Sequence, residues 1–226
     1  MLSVIDPGAL CTLQDLGRAG YESSGVPRSG AMDRVACEMA NRLVGNAPKE
    51  AVIEITLSAS FEVKAPCVIA VAGADLGATL NRQPLPLNTS VFCNAGARIT
   101  FEKRHRGTRA YLALAGGIDV PCVLGSRSTY LPAGFGGMAG RALQMDDVIR
   151  PRFAVDVARV AGRAWPASSS CACGNVVRLV TGPHVDALDD AGKAALVETT
   201  WQVSATSNRM GVRLEGPALH PRERRD

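Results

Sequence analysis

Gln14, Asp15, Arg18, Tyr21, Ser29 and Asp33 place an amide, two carboxylates, a guanidinium and two hydroxyls in one short stretch, punctuated by Gly17, Gly20, Gly25 and Gly30. Glycines allow positive φ and close backbone approach. A glycine loop that runs into a helix start can present backbone N–H groups to an anion or a carboxylate. The pattern matches no standard phosphate motif, so turns made only for chain reversal are the alternative. A second polar cluster, Ser126, Arg127, Ser128, Thr129 and Tyr130, lies inside a glycine-rich segment from Gly116 to Gly140. Long segments without regular structure are usually functional or disordered. Walker A, His-Glu-x-x-His, Gly-x-Ser-x-Gly and kinase signatures are absent, and His105, His184 and His220 have neighbours that suggest no catalytic base. Any catalysis would rest on positioning and electrostatic stabilisation by Asp, Glu, Arg, Ser, Asn and backbone donors.

The elements that must hold these residues are short. Leu2 to Ile5 is an apolar run stopped by Asp6-Pro7-Gly8. Met32, Ala36, Met39, Ala40, Leu43 and Val44 fall at helical spacing, with Ser29 or Asp33 as cap and Gly45-Asn46 as stop. Strands are expected at Val52 to Thr56, which alternates, and at Phe61 to Lys64, Cys67 to Ala72, Val91 to Cys93, Arg98 to Phe101 and Arg109 to Ala115. Turns are expected at Asn81 to Pro84 and at Lys103 to Gly107, the latter a solvated hairpin tip or an anion patch. Asp146-Asp147 turns into a strand at Val148-Ile149. Close-spaced short strands point to a barrel or sandwich.

Residues 161–175 are small and polar and read as a linker between residues 1–160 and residues 176–226. Beyond it, strands are expected at Val176 to Val180 and Trp201 to Ser204, with a helix over Val185 to Val197. Cys171 and Cys173 lack a second ligand pair, so no metal site is expected. The formal net charge of +4, part of it in the Pro-Arg-Glu-Arg-Arg-Asp tail, is too small to indicate nucleic acid. No apolar run is long enough for a membrane span, and the N-terminus has no signal-peptide pattern. Seven scattered cysteines are then expected to be reduced thiols in a cytoplasm.

Longer motifs carry a family likeness. Thr12-Leu13-Gln14-Asp15-Leu16-Gly17-Arg18-x-Gly20-Tyr21, Gly25-Val26-Pro27-x-Ser29-Gly30-Ala31-Met32-Asp33 and Ala40-Asn41-x-Leu43-Val44-Gly45-Asn46 resemble the carboxyltransferase-domain family called allophanate hydrolase subunit 2. So do Ala115 to Pro121, Leu124 to Tyr130, Gly182-Pro183 with Asp186, Ser207 to Gly211, and Leu214 to Pro217. The family's bacterial members include the C subunit of the ATP-hydrolysing 5-oxoprolinase. The resemblance implies a mainly β fold with a few short helices, built of cyclophilin-like barrel modules. It also implies a partner, the B subunit, which is similar to allophanate hydrolase subunit 1. The A subunit would complete ring opening of 5-oxoproline to glutamate. Other relatives are carboxyltransferase modules of urea carboxylase, or regulators that act by binding a kinase and its inhibitor.

On that likeness, Asp15, Arg18 and Asp33 are expected as catalytic residues, and Gln14, Ser29, Gly30, Arg127, Ser128 and Arg209 as substrate- or nucleotide-binding residues. Arg18 and Arg127 offer forks that fit a phosphate or a carboxylate. Asp15 or Asp33 can position water or hold Mg2+ on an ATP shared with the partner protein. A capped turn or a buried ion pair is the competing role for each. Two departures from the family pattern stand out. Asn208 replaces a usual Asp, and the family continues beyond Leu-Glu-Gly-Pro into a second strand-rich half that this sequence lacks. Residues 176–226 are accordingly expected to be the truncated opening of a second barrel.

Overall fold

The structure, a computed structural model, describes residues 1–166, 177–207, 209 and 211–219. The chain divides into two compact units, Met1–Ser170 and Cys171–Asp226. The first holds β1 (Leu2–Asp6), β2 (Leu10–Gln14), α1 (Arg34–Leu43), β3 (Val52–Thr56), β4 (Ala59–Val63) and β5 (Cys67–Asp75). These are followed by β6 (Ala78–Leu80), β7 (Gln83–Pro84), β8 (Ser90–Cys93), β9 (Arg98–Phe101), β10 (Arg106–Leu114), β11 (Val148–Ile149) and the short helix α2 (Val157–Val160). The fold is mainly β, as expected. Among the described residues the strands of the first unit form two separate antiparallel sheets rather than a closed barrel, in the orders β11-β1-β4-β9-β6-β7 and β2-β3-β10-β5-β8.

The five-stranded sheet is covered on both faces, which explains its composition. Ile53, Ile55, Ile69, Val71, Leu112 and Leu114 face one core, shared with Leu2, Val4, Phe61, Val63, Ile99 and Phe101 of the six-stranded sheet. Val52, Val68, Ala70, Ala72, Tyr111 and Ala113 face a second core under Ala36, Cys37, Ala40 and Leu43 of α1. A strand buried on both sides reads as a continuous apolar run, and Cys67 to Ala72 is one. For the same reason Val52 to Ile55 is buried throughout, although its sequence alternates. The small residues on β5 and β10 let α1 lie close on the sheet.

Asp33 caps α1 by accepting a 2.9 Å hydrogen bond from Ala36 N–H, as the sequence suggests. At the other end Asn41 donates to the Glu50 carbonyl, and Asn46 donates to the Leu114 carbonyl and accepts from Gly116 N–H. The Asn41 and Asn46 motif therefore ties the helix exit to the end of β10. The Lys103 to Arg106 cluster stands exposed at the turn between β9 and β10.

Residues 161–165 do not hang free as a linker. Gly162 and Trp165 donate backbone bonds to Ser90 and Asn88, and Ser90 N–H donates to Arg163, so this segment lines β8 within the first unit. Of the remainder of the expected linker, residues 167–175 lie outside the described residues.

In the second unit, residues 177–180 form no strand, and Val176 lies outside the described residues. The expected helix divides into a 3-10 turn at Val185–Ala187 and α3 (Asp190–Glu198), because Asp189 is extended and caps α3 through Gly192 N–H. β12 (Gln202–Val203) pairs antiparallel with β13 (Leu214–Glu215).

Candidate functional site

β2 delivers Gln14 and Asp15 to the point where the glycine loop begins. The loop then folds back on itself: Arg18 N–H donates to the Arg28 carbonyl, and Ala31 N–H to the Asp15 carbonyl, both at 2.7 Å. Gly30 seals this closure. Its φ is +89°, and a Cβ there would lie 2.6 Å from the Gly17 nitrogen, so only glycine fits.

The two sequence clusters meet at Asp15. Its Oδ1 accepts from Gly17 N–H at 2.7 Å, Ser126 Oγ at 2.6 Å and Ser128 Oγ at 2.5 Å, and its Oδ2 accepts from Arg127 N–H at 2.6 Å. Asp15 N–H donates to Ser128 Oγ, and Gln14 Nε2 bonds Thr12 Oγ1 and the Thr129 carbonyl. Thr129 N–H and Leu143 N–H also donate to the Leu13 and Cys11 carbonyls along β2. Asp15 is buried, and its charge is taken up by donors of the protein itself. That arrangement does not fit a Mg2+ ligand or an accessible base. It makes Asp15 the clamp between segments more than a hundred residues apart.

Arg18 is only 1% exposed, and its Nη2 donates 2.6 Å to the Ser128 carbonyl. The Phe135 ring covers the guanidinium, 4.8 Å from ring centre to Cζ. Burial pulls the Arg18 pKa down from its usual value, against the opposing attraction of Asp15. Nε and Nη1 of Arg18 have no hydrogen-bond partner, and neither do Arg127 Nε, Ser29 Oγ and Gln14 Oε1. Among the described residues only two other buried side-chain atoms share that state, Glu50 Oε2 and Arg109 Nε. Unmet buried polar atoms therefore concentrate on the residues that the sequence nominates. Three of the five are cationic nitrogens, so this donor set fits an oxyanion.

Asp33 sits apart from the clamp, exposed at the helix start. Its N–H donates 2.7 Å to Tyr111 Oη, which donates 2.9 Å to the buried Glu54 Oε2, and Met32 N–H donates to the same oxygen. Burial, reinforced by Glu54, pushes the Tyr111 pKa up, so the hydroxyl stays protonated and donating. Arg209 belongs to the second unit, between residues 208 and 210, which lie outside the described residues. Asn208, the departure from the family pattern, therefore has no described geometry.

Residues 24–226 match the family model described as carboxyltransferase domain, subdomain A and B. The chain is 38% identical to the 5-oxoprolinase C subunit of Escherichia coli (strain K12), over 97% of its own length and 70% of that protein's. The chain belongs to the carboxyltransferase-domain family. This carboxyltransferase domain is also 37% identical to urea amidolyase of Lachancea kluyveri, over 95% of the chain but only 12% of that protein. Among solved structures, K. lactis urea amidolyase superposes with a TM-score of 0.83 at 36% identity, over 97% of this chain and 14% of that one.

Within the carboxyltransferase domain, Glu54, Tyr111 and Phe135 have roles that the sequence reading does not reach. Glu54 alone leaves a signal, as a carboxylate at the centre of the apolar strand Val52 to Thr56. Nothing near Tyr111 or Phe135 in the sequence marks their contacts with residues 18 and 33, which the fold brings together across 78 residues for Asp33–Tyr111.

Proposed function

We propose that this chain is the C subunit of an ATP-dependent 5-oxoprolinase-type amidohydrolase, acting with a B-subunit partner and with the A subunit. The observation that carries the reading is its 38% identity, along nearly its whole length, to a protein named as the C subunit of 5-oxoprolinase. The intact clamp supports it, since Gln14, Asp15, Arg18, Arg127 and Ser128 converge in one place. In the assembled complex the cationic donors are assigned to hold the substrate or the nucleotide, and Asp15 to hold the donors in place. ATP with Mg2+ would be shared with the partner protein and would supply the activation of the amide. No step is assigned to a metal on Asp15, whose oxygens are engaged. A cytoplasmic complex is part of this reading. No helix among the described residues is long and apolar enough to cross a membrane.

The likeness to urea amidolyases supports a second reading, a carboxyl-transfer module working with a biotin carrier on another chain. Co-expression with the B and A subunits separates the two. 5-Oxoproline-dependent ATP hydrolysis with glutamate release is the expected result. Carboxyl transfer from carboxybiotin to urea, without oxoproline turnover, would replace the first reading with the second. A complex that forms but turns over neither substrate would leave this chain a binding and regulatory component.

A further inference from the structure

We infer that Arg18 and Arg127 form an oxyanion site, for a carboxylate or a phosphate group, entered past Phe135. The inference deepens the proposed function and rests on it for the identity of the ligand's parent molecule.

A guanidinium that is 1% exposed has left water and needs acceptors in return. Arg18 has one, the Ser128 carbonyl, and two of its three nitrogens have none. The nearby carboxylate, Asp15, is taken by Gly17, Ser126, Arg127 and Ser128. Asp15 thus holds the backbone of Arg127 while leaving the Arg127 Nε without a partner. Arg18 is thus a buried positive locus with two unpartnered donors, and the nearby carboxylate takes its hydrogen bonds from other groups. Charge-assisted bonds to such a locus are about twice as strong as neutral ones. Ser29 Oγ, in the same glycine loop as Arg18, is also buried without a partner.

The access route follows from the cover. Phe135 is partly exposed, stacks edge-on with Tyr130 at 5.4 Å, and lies over the guanidinium. It sits in the turn between Tyr130 and Gly140, whose Gly137 N–H donates to the Arg127 carbonyl, while Asp15 and β2 hold residues 126–129 from the other side. The partly exposed Phe135 ring can turn out about its own side-chain bonds while these backbone bonds stay in place. An incoming anion replaces the weak contact between ring and cation with hydrogen bonds.

The test uses the full chain and three probes at constant ionic strength: sodium 5-oxoproline, inorganic phosphate, and 5-oxoprolinamide as the uncharged copy of the first. Binding is read by saturation-transfer NMR and by titration calorimetry. At least one anion should bind, and the amide should not. Arg18→Lys, which keeps the charge and loses the fork, should weaken anion binding at least tenfold, and Phe135→Ala should strengthen it. Binding of 5-oxoproline without phosphate assigns the site to a carboxylate, and the reverse assigns it to a phosphate. Equal binding of acid and amide, no anion binding, or unchanged binding in Arg18→Lys overturns the site. Should Arg18→Lys fail to fold, phenylglyoxal labelling of the wild-type chain decides. Arg18 should be protected by the anion and not by the amide, and absence of protection overturns the site. The two proposals fail separately. Anion binding through Arg18 with no oxoproline turnover in the complex keeps the site and removes the function. A turning-over complex whose KM values for ATP and 5-oxoproline are unmoved by Arg18→Lys does the opposite.

Discussion

Asp15 shows how a residue that looks catalytic can serve by holding others. Its four accepted hydrogen bonds come from two backbone N–H groups and two serine hydroxyls, all in a buried setting. Asp15→Ala would strand those donors, and stranded buried donors cost about 1–3 kcal/mol each. The expected loss is about 4 kcal/mol of unfolding free energy after partial rehydration, measured by urea denaturation. Activity in the assembled complex should fall with it, because Arg127 loses its anchor. Tyr111→Phe tests the neighbouring network more gently. It should cost about 1–3 kcal/mol, since Glu54 and Asp33 N–H lose their shared partner. The chemistry-bearing residues are legible in the sequence because polar side chains among glycines are conspicuous. Their division of labour is not, because it depends on which donors reach Asp15 from residues 126–128, and local patterns carry no such information.

The elements are more legible than the contacts between them. α1 can be read from its spacing and from Asp33, since a cap is a local device that needs only three residues. β5 can be read as a continuous apolar run, because burial on both faces removes the polar alternation. β2 escapes such a reading: Thr12, Gln14 and Asp15 look like loop chemistry, yet Gln14 Nε2 bonds Thr12 Oγ1 and the Thr129 carbonyl, and residues 126–128 donate to Asp15 at the strand's end. The same logic separates the glycines of the loop. Gly30→Ala places a Cβ against the Gly17 backbone at positive φ. It should destabilise the chain by about 3 kcal/mol or more, from the left-handed backbone and overpacking together. Gly25 also has positive φ, but nothing lies within 4 Å of its Cβ direction, so Gly25→Ala should cost only about 1–2 kcal/mol. Equal thermal shifts for the two variants would contradict the close packing at Gly30.

At the scale of the whole chain, the two units differ in how much they bury. Val177, Val180, Val197, Val203 and Val212 of the second unit are all more than 60% exposed, whereas the first unit contains two apolar cores. Limited proteolysis should therefore cut within residues 177–219 first and leave a resistant fragment close to residues 1–166. Equal resistance of both would contradict this. Alkaline stability is set by the first unit. Burial pushes the Cys11, Cys37 and Cys93 thiols up from 9.0 to about 12. A thiol held protonated in the folded state stabilises it fully below the unfolded pKa, and that contribution is lost as pH rises through the folded value. Unfolding free energy should thus decline between pH 9 and pH 12, as guanidinium titrations across that range would show. In native protein at neutral pH, iodoacetamide should label exposed Cys122 before the buried thiols of the first unit.

The bonds from Thr129 and Leu143 to the carbonyls of β2 also bear on colloidal behaviour. β2 ends its sheet, and an uncovered edge of that kind recruits strands from other molecules. The segment that shapes the anion site is at the same time the guard of that edge. Substitutions that loosen residues 126–129 should therefore appear first as self-association in light scattering, before any measurable loss of secondary structure. Selection for a soluble protein would then preserve the site's architecture even in a lineage that no longer used its chemistry.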